Sequence, residues 1–243
     1  MITKGAMFYL ASIGFATALA CVQVDVSFAN GEPTCNMKGA QSLSAPLELQ
    51  QTSQWCWAAA TRTVMNYNYQ KRGSSTPIEE QCKMVNRKIG EDPASSYCCE
   101  VRQNQDLIIP PIECYVGGWP NEVLAVYNFH TKPIPMALNW KTLTQEICLD
   151  RPFLYVRVRG GGTHVLIVLG YSYSESPPDV ANPAPTNYPD GHLNPEKEWV
   201  EIYDPTHKNF EFVQYDEFVG DKPGVGQTYG YRHYSDYIQI YPE

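Results

Sequence analysis

A thiol becomes a nucleophile where its anion is stabilised, and the stretch Gln-Gln-Thr-Ser-Gln-Trp-Cys-Trp-Ala-Ala-Ala (residues 50–60) sets Cys56 in such a place. From Trp55 to Tyr67 the chain runs without Gly or Pro, and Ser53 stands where an N-cap belongs. A helix is therefore expected from Gln54, with Cys56 in its first turn. Unpaired backbone amides give that turn a partial positive charge, which favours thiolate over thiol. Gln50, upstream of the thiol, can return its side-chain amide to the same point and, with the Cys56 N–H, form an oxyanion hole. The competing reading is a cysteine packed in the core between two tryptophans, since free cysteine is among the most buried residue types.

Two further stretches favour the chemical reading. In Arg-Gly-Gly-Gly-Thr-His-Val-Leu-Ile-Val-Leu-Gly-Tyr (residues 159–171) a glycine run delivers His164 to the start of an apolar segment. That segment is too short for an ordinary helix and rich in β-branched residues, so it reads as a buried strand opened by the histidine. In Glu-Trp-Val-Glu-Ile-Tyr-Asp-Pro (residues 198–205) another strand ends at Asp204 before a proline. A carboxylate there can orient the imidazole of His164. His207 and Asp179 are the rival base and carboxylate; the first falls on a turn with no glycine-led strand, the second in a proline-rich stretch.

These residues resemble the papain-like cysteine peptidases, in particular a bacterial branch with secreted effector proteases and, more distantly, the double-glycine leader peptidases. The likeness runs from Gln50 to Pro205 and rests on Gln50, Cys-Trp-Ala-Ala from Cys56, the His164 strand and Asp204-Pro205. It implies a two-lobed fold in which Cys56 is nucleophile, His164 base, Asp204 the orienting carboxylate and Gln50 the oxyanion glutamine. It also implies a protein or peptide substrate. The interval between His164 and Asp204 is longer than the family pattern, because a segment with six prolines (residues 172–198) is inserted there. That insertion either overhangs the cleft or is a plain surface excursion.

The N-terminal residues carry a lone Lys4 followed by an uncharged apolar run, as a secretory signal peptide does. Cleavage is expected after Ala29, leaving a single domain over residues 30–243; cleavage before Cys21 would instead give a lipoprotein. Export bears on the eight cysteines. With Cys21 removed and Cys56 kept as a free thiol, the remaining Cys35, Cys82, Cys98, Cys99, Cys114 and Cys148 can all pair in an oxidising compartment. Their pairing is left open, except that the adjacent Cys98 and Cys99 are poorly placed to bond to each other. No Cys-x-x-Cys pair supports a zinc site, and no motif calls for a cofactor. A net charge of −8 lacks the basic footprint of a nucleic-acid binder, and no second apolar span is long enough to cross a membrane after signal cleavage.

The elements that must position these groups divide by half. Thr76-Pro77-Ile78-Glu79 forms a capping box for a helix running toward Gly90. Shorter helices are expected over residues 120–129 and 142–149, with an irregular cysteine-rich stretch between Gly90 and Trp119. Strands are expected over 153–159, 164–173, 199–203, 210–215 and 234–241. A helical first half packed on an antiparallel sheet is an α+β layout, with Cys56 and His164 facing each other across a cleft. Trp55 and Trp57 are either walls of that cleft or packing anchors. The expected activity is an exported thiol peptidase. Another acyl transfer by the same thiol, as in a transglutaminase or amidase, and a non-catalytic secreted binding module are the alternatives.

Overall fold

The computed structural model describes residues 28–29, 32–33, 35–74, 77–100, 110–159, 162–175, 197–207, 209–220 and 232–243. Most of the expected export signal, Cys21, Thr76, and residues 176–196 with Asp179 lie outside the described residues. The chain divides into two units, Met1–Thr34 and Cys35–Glu243. In the first, β1 (Phe28–Ala29) pairs antiparallel with β2 (Glu32–Pro33). Every other element belongs to the second.

Helix α1 (Cys56–Lys71) is the central element. Its first three turns are buried almost all round, from Cys56 through Val64 and Met65 to Tyr67, as expected of a helix enclosed by other structure. It lies against the sheet strands β5 (Phe153–Arg159), β6 (Gly162–Tyr173) and β9 (Arg232–Pro242) on one side and α2 (Gln81–Ile89) and α3 (Pro120–Val126) on the other. The expected cap does not form: the helix begins at Cys56, and Trp55 takes the N-cap position without a side-chain cap. The Trp55 ring is wholly buried, and its Nε1–H donates to Cys114 O at 2.8 Å. The helix start is thus set by that anchor, while Ser53 sits in an exposed turn closed by Trp55 N–H to Thr52 O at 3.2 Å.

Helix α2 also starts later than its capping box suggests, with Glu80 as N-cap. Side chains of α1 intercept the backbone that would have formed its first turn. Arg62 donates to Glu79 O at 2.7 Å and Ile78 O at 3.0 Å, and Asn66 Oδ1 accepts from Ile78 N–H at 2.7 Å. Carbonyls so engaged are not free for the helical ladder. Helix α3 ends before residue 129, because Asn128 turns to φ 55° and Phe129 opens a strand, β4 (Phe129–Ile134), that the sequence pattern hides. Helix α4 (Trp140–Cys148) is capped by Asn139, whose Oδ1 accepts from Thr142 N–H at 2.9 Å.

Seven strands form one antiparallel sheet in the order β4-β9-β5-β6-β7-β8, with β3 (Ala40–Ser42) paired to β6 beyond the end of β5. Strands β7 (Glu198–Asp204) and β8 (Asn209–Gln214) complete it, and a short helix, α5 (Tyr215–Val219), follows β8. The α+β expectation is met, and the five expected strands are all present with small differences at their ends. His164 stands near the start of β6, as its glycine-led setting suggests, on a strand that lies between β5 and β7, and it is opposite Arg157.

All six paired cysteines form disulfides: Cys35–Cys148, Cys82–Cys99 and Cys98–Cys114. The last two close loops of 17 and 16 residues and hold the irregular stretch between α2 and α3. Loop closure of that length reduces unfolded-chain entropy by an amount equivalent to about 3 kcal/mol each. Among its described residues, that stretch has two single turns, at Tyr97–Cys99 and Ile112–Cys114.

Candidate active site

Cys56 is the first residue of α1, and among the described residues it is the one free cysteine. Because it stands at the helix start, its peptide N–H has no carbonyl four residues back within the helix, and no other described carbonyl accepts from it. The flanking tryptophans are packing anchors, not cleft walls. Trp55 and Trp57 are 0% and 1% exposed, and both donate through the indole to the stretch before α3, Trp55 to Cys114 O and Trp57 to Val116 O at 2.9 Å. That stretch presses on the Trp57 ring so closely that a Cβ at Gly118 would lie 2.6 Å from an indole carbon. The disulfide Cys98–Cys114 holds it from the other side.

The sheet brings the histidine and carboxylate to the same place. His164 Nε2 lies 2.9 Å from Asp204 Oδ1, at the end of β7. The carboxylate is nearly enclosed, with a side-chain exposure of 3%, and every polar contact it makes is with a donor. Oδ1 also accepts from Thr206 N–H at 2.8 Å, and Oδ2 accepts from Arg157 Nη2 at 3.1 Å. Burial alone would raise the pKa of Asp204; the hydrogen bond and charge of His164, with the Thr206 contacts, overcome it and hold the carboxyl well below its usual range. Burial likewise pushes His164 down, but hydrogen bonds to Asp204 and Cys56, and the charges of both, lift it to about 9. The imidazole thus interacts with the thiol on one side and the carboxylate on the other.

Gln50 arrives beside this pair through the turn that follows Asp204. Its peptide N–H donates to Pro205 O at 2.8 Å, and its Oε1 accepts from Thr206 Oγ1 at 3.2 Å. The structure therefore gathers Gln50, His164 and Asp204 through one turn, and His164 reaches Cys56. His207 is exposed on that turn, as its setting in the sequence suggested. Two contributors escaped the sequence reading. Arg157 is a charged residue in a mostly apolar strand, a pattern that asks for a buried partner. Thr206 directly follows Asp-Pro, where a hydroxyl can bond back into a turn.

A free cysteine opening the helix of an α+β domain, with a histidine on the facing sheet, is the arrangement of a papain-like cysteine peptidase. Sequence comparison narrows this: the pattern of the papain-like cysteine protease AvrRpt2 family matches residues 39–208, and the chain belongs to that family. The matched stretch contains Gln50, Cys56, His164 and Asp204 and stops before β8, so β9, the strand between β4 and β5, lies beyond it. No curated protein matches the chain significantly.

Proposed function

We propose that the protein is an exported thiol peptidase that hydrolyses peptide bonds through an acyl-enzyme on Cys56. The observation that carries this reading is His164 held between Cys56 and an ionised Asp204. In the first half-reaction the Cys56 thiolate adds to the scissile carbonyl. Gln50 Nε2 and the Cys56 N–H receive the negative charge that develops on oxygen. As the C–N bond breaks, the imidazolium Nδ1–H passes its proton to the departing amine, leaving a thioester. In the second, water attacks the thioester while His164 Nδ1 takes its proton, and the C–S bond breaks to return the thiolate. Asp204 keeps the remaining proton on Nε2 throughout, so Nδ1 is always the nitrogen that faces the reaction. Three disulfides with one free thiol among the described residues, together with the apolar N-terminal run, support an oxidising destination reached by way of a cleaved signal. Among the described residues no helix is long and apolar enough to cross a membrane.

The test is limiting iodoacetamide between pH 5 and 9 without reductant, followed by peptide mass spectrometry and hydrolysis of fluorescein-labelled casein. Selective labelling of Cys56 that persists below pH 7, is weakened by His164→Ala, and abolishes casein cleavage is the expected result. Ordinary thiol behaviour, or casein cleavage that survives Cys56→Ala, would overturn the reading. Adding an amine acceptor separates hydrolysis from acyl transfer by the products formed.

A further inference from the structure

We infer that Thr206 is a positioning residue of the oxyanion hole: its hydroxyl sets which end of the Gln50 amide faces the thiol. The inference deepens the peptidase reading and rests on Gln50 acting in it. Three contacts tie the turn residue into the site. Thr206 N–H donates to Asp204 Oδ1 at 2.8 Å, its Oγ1 lies 3.2 Å from Gln50 Oε1, and the same Oγ1 lies 3.4 Å from His164 Nε2.

The direction of the Thr206 hydroxyl proton follows from the carboxylate. An ionised Asp204 only accepts, so the proton between it and His164 resides on Nε2. Nε2 then has no lone pair to offer, and Thr206 Oγ1 can be only an acceptor toward it. The hydroxyl proton has two acceptors beside it, the Asp204 carboxylate, which already takes His164, Thr206 N–H and Arg157, and Gln50 Oε1 at 3.2 Å; the second is the one the hydroxyl faces at hydrogen-bond distance. A side-chain amide so held has its carbonyl end fixed toward the turn and its NH2 end turned away, free of any other described partner. The Gln50 backbone, pinned by Pro205 O at 2.8 Å, limits where that NH2 can reach.

The flipped amide would place Oε1 where the developing oxyanion must sit, opposing like partial charges. Asp204 thereby orders a chain: it fixes the imidazole tautomer, the tautomer orients the hydroxyl, and the hydroxyl orients the amide. One carboxylate prepares both the base and the oxyanion donor.

The deciding experiment compares Thr206→Val, Thr206→Ser, Gln50→Ala and Thr206→Val/Gln50→Ala in labelled-casein hydrolysis, with iodoacetamide alkylation of Cys56 alongside. Alkylation forms no oxyanion, so it reports the thiol–imidazole pair alone. Thr206→Val is expected to lower casein kcat/KM about tenfold, less than the ~100-fold of deleting the Gln50 donor. Alkylation rate and its pH profile should change far less than hydrolysis does, and Thr206→Ser should restore hydrolysis. In the Gln50→Ala background the valine substitution should cost nothing further. A full additional loss in that background, failure of serine to rescue, or an equal fall in alkylation would overturn the role assigned to Thr206 while leaving the peptidase reading intact. Unchanged hydrolysis in Gln50→Ala would remove the oxyanion role of Gln50 and the inference with it. Loss of the Cys56→Ala effect would instead defeat the peptidase reading itself.

Discussion

Replacing Asp204 by asparagine keeps the size of the side chain and inverts part of its hydrogen-bonding capacity. The carboxylate meets donors on both oxygens: His164 and Thr206 N–H at Oδ1, and Arg157 at Oδ2. An amide has one acceptor end, so whichever way it turns, its NH2 faces a donor. With the NH2 toward His164, the imidazole must present a lone pair at Nε2 and carry its proton on Nδ1, and Thr206 N–H loses its acceptor. With the NH2 toward Arg157, it opposes a permanent guanidinium. The elevation of His164 from 6.5 to about 9 is on the order of 3 kcal/mol in favour of the imidazolium. Asp204 and Cys56 share it against burial. An Asp204 share on the order of 1 to 2 kcal/mol is roughly tenfold in the charged pair, and the altered tautomer adds to this. Asp204→Asn should therefore lower casein kcat/KM by about 10- to 100-fold and slow the iodoacetamide alkylation of Cys56. The assay is the second-order alkylation rate of Cys56 across pH 5–9, in parallel with hydrolysis. A variant within twofold of the wild type in both would refute the argument, because it would mean that the carboxylate neither charges nor orients the imidazole.

Other consequences follow from packing and charge. Gly118→Ala drives a methyl group into the Trp57 ring, with 2.6 Å available; since that indole is buried and bonded to Val116 O, a loss of about 1–3 kcal/mol is expected in denaturant unfolding. Cys98→Ser/Cys114→Ser should destabilise the protein by about 3 kcal/mol and depress hydrolysis too, since the released stretch carries the acceptors of both tryptophans beside the thiol; chemical denaturation with a parallel casein assay measures both. Burial of Glu198, with Asp216 nearby, pushes its carboxyl up to about 7. A carboxyl raised in the folded state contributes stability that is complete below its unfolded value and lost as pH rises through the folded one. Glu198→Gln should accordingly raise the Tm relative to wild type at pH 8 and leave little difference at pH 4, as read by thermal melts across that range.

The candidate site was legible in the chain because it is carried by short, local patterns. A residue run without Gly or Pro places Cys56 at a helix start, a glycine run ends at His164, and a strand stops at Asp204 before proline. Alternating and β-branched segments likewise announced five of the strands, whose periodicity is a property of adjacent residues. The three disulfide partners, by contrast, could not be chosen from spacing, since each pairing joins residues whose separation in space is set by the packed elements.

Where α1 and α2 begin was decided at a distance. Trp55 bonds to Cys114, and Arg62 with Asn66 captures the backbone at Ile78 and Glu79, so local capping signals at Ser53 and Thr76 yielded to contacts across the domain. The same holds for β4, which exists because β9 returns from the end of the chain to pair with it. At the site, Arg157 and Thr206 acquired their roles only when β5, β6 and the turn after β7 came together around one carboxylate. Residue types and spacing thus single out the candidate groups of the site, whereas the partners that surround them come from strands far apart in sequence, because burying an ionised carboxylate requires donors from every side that encloses it.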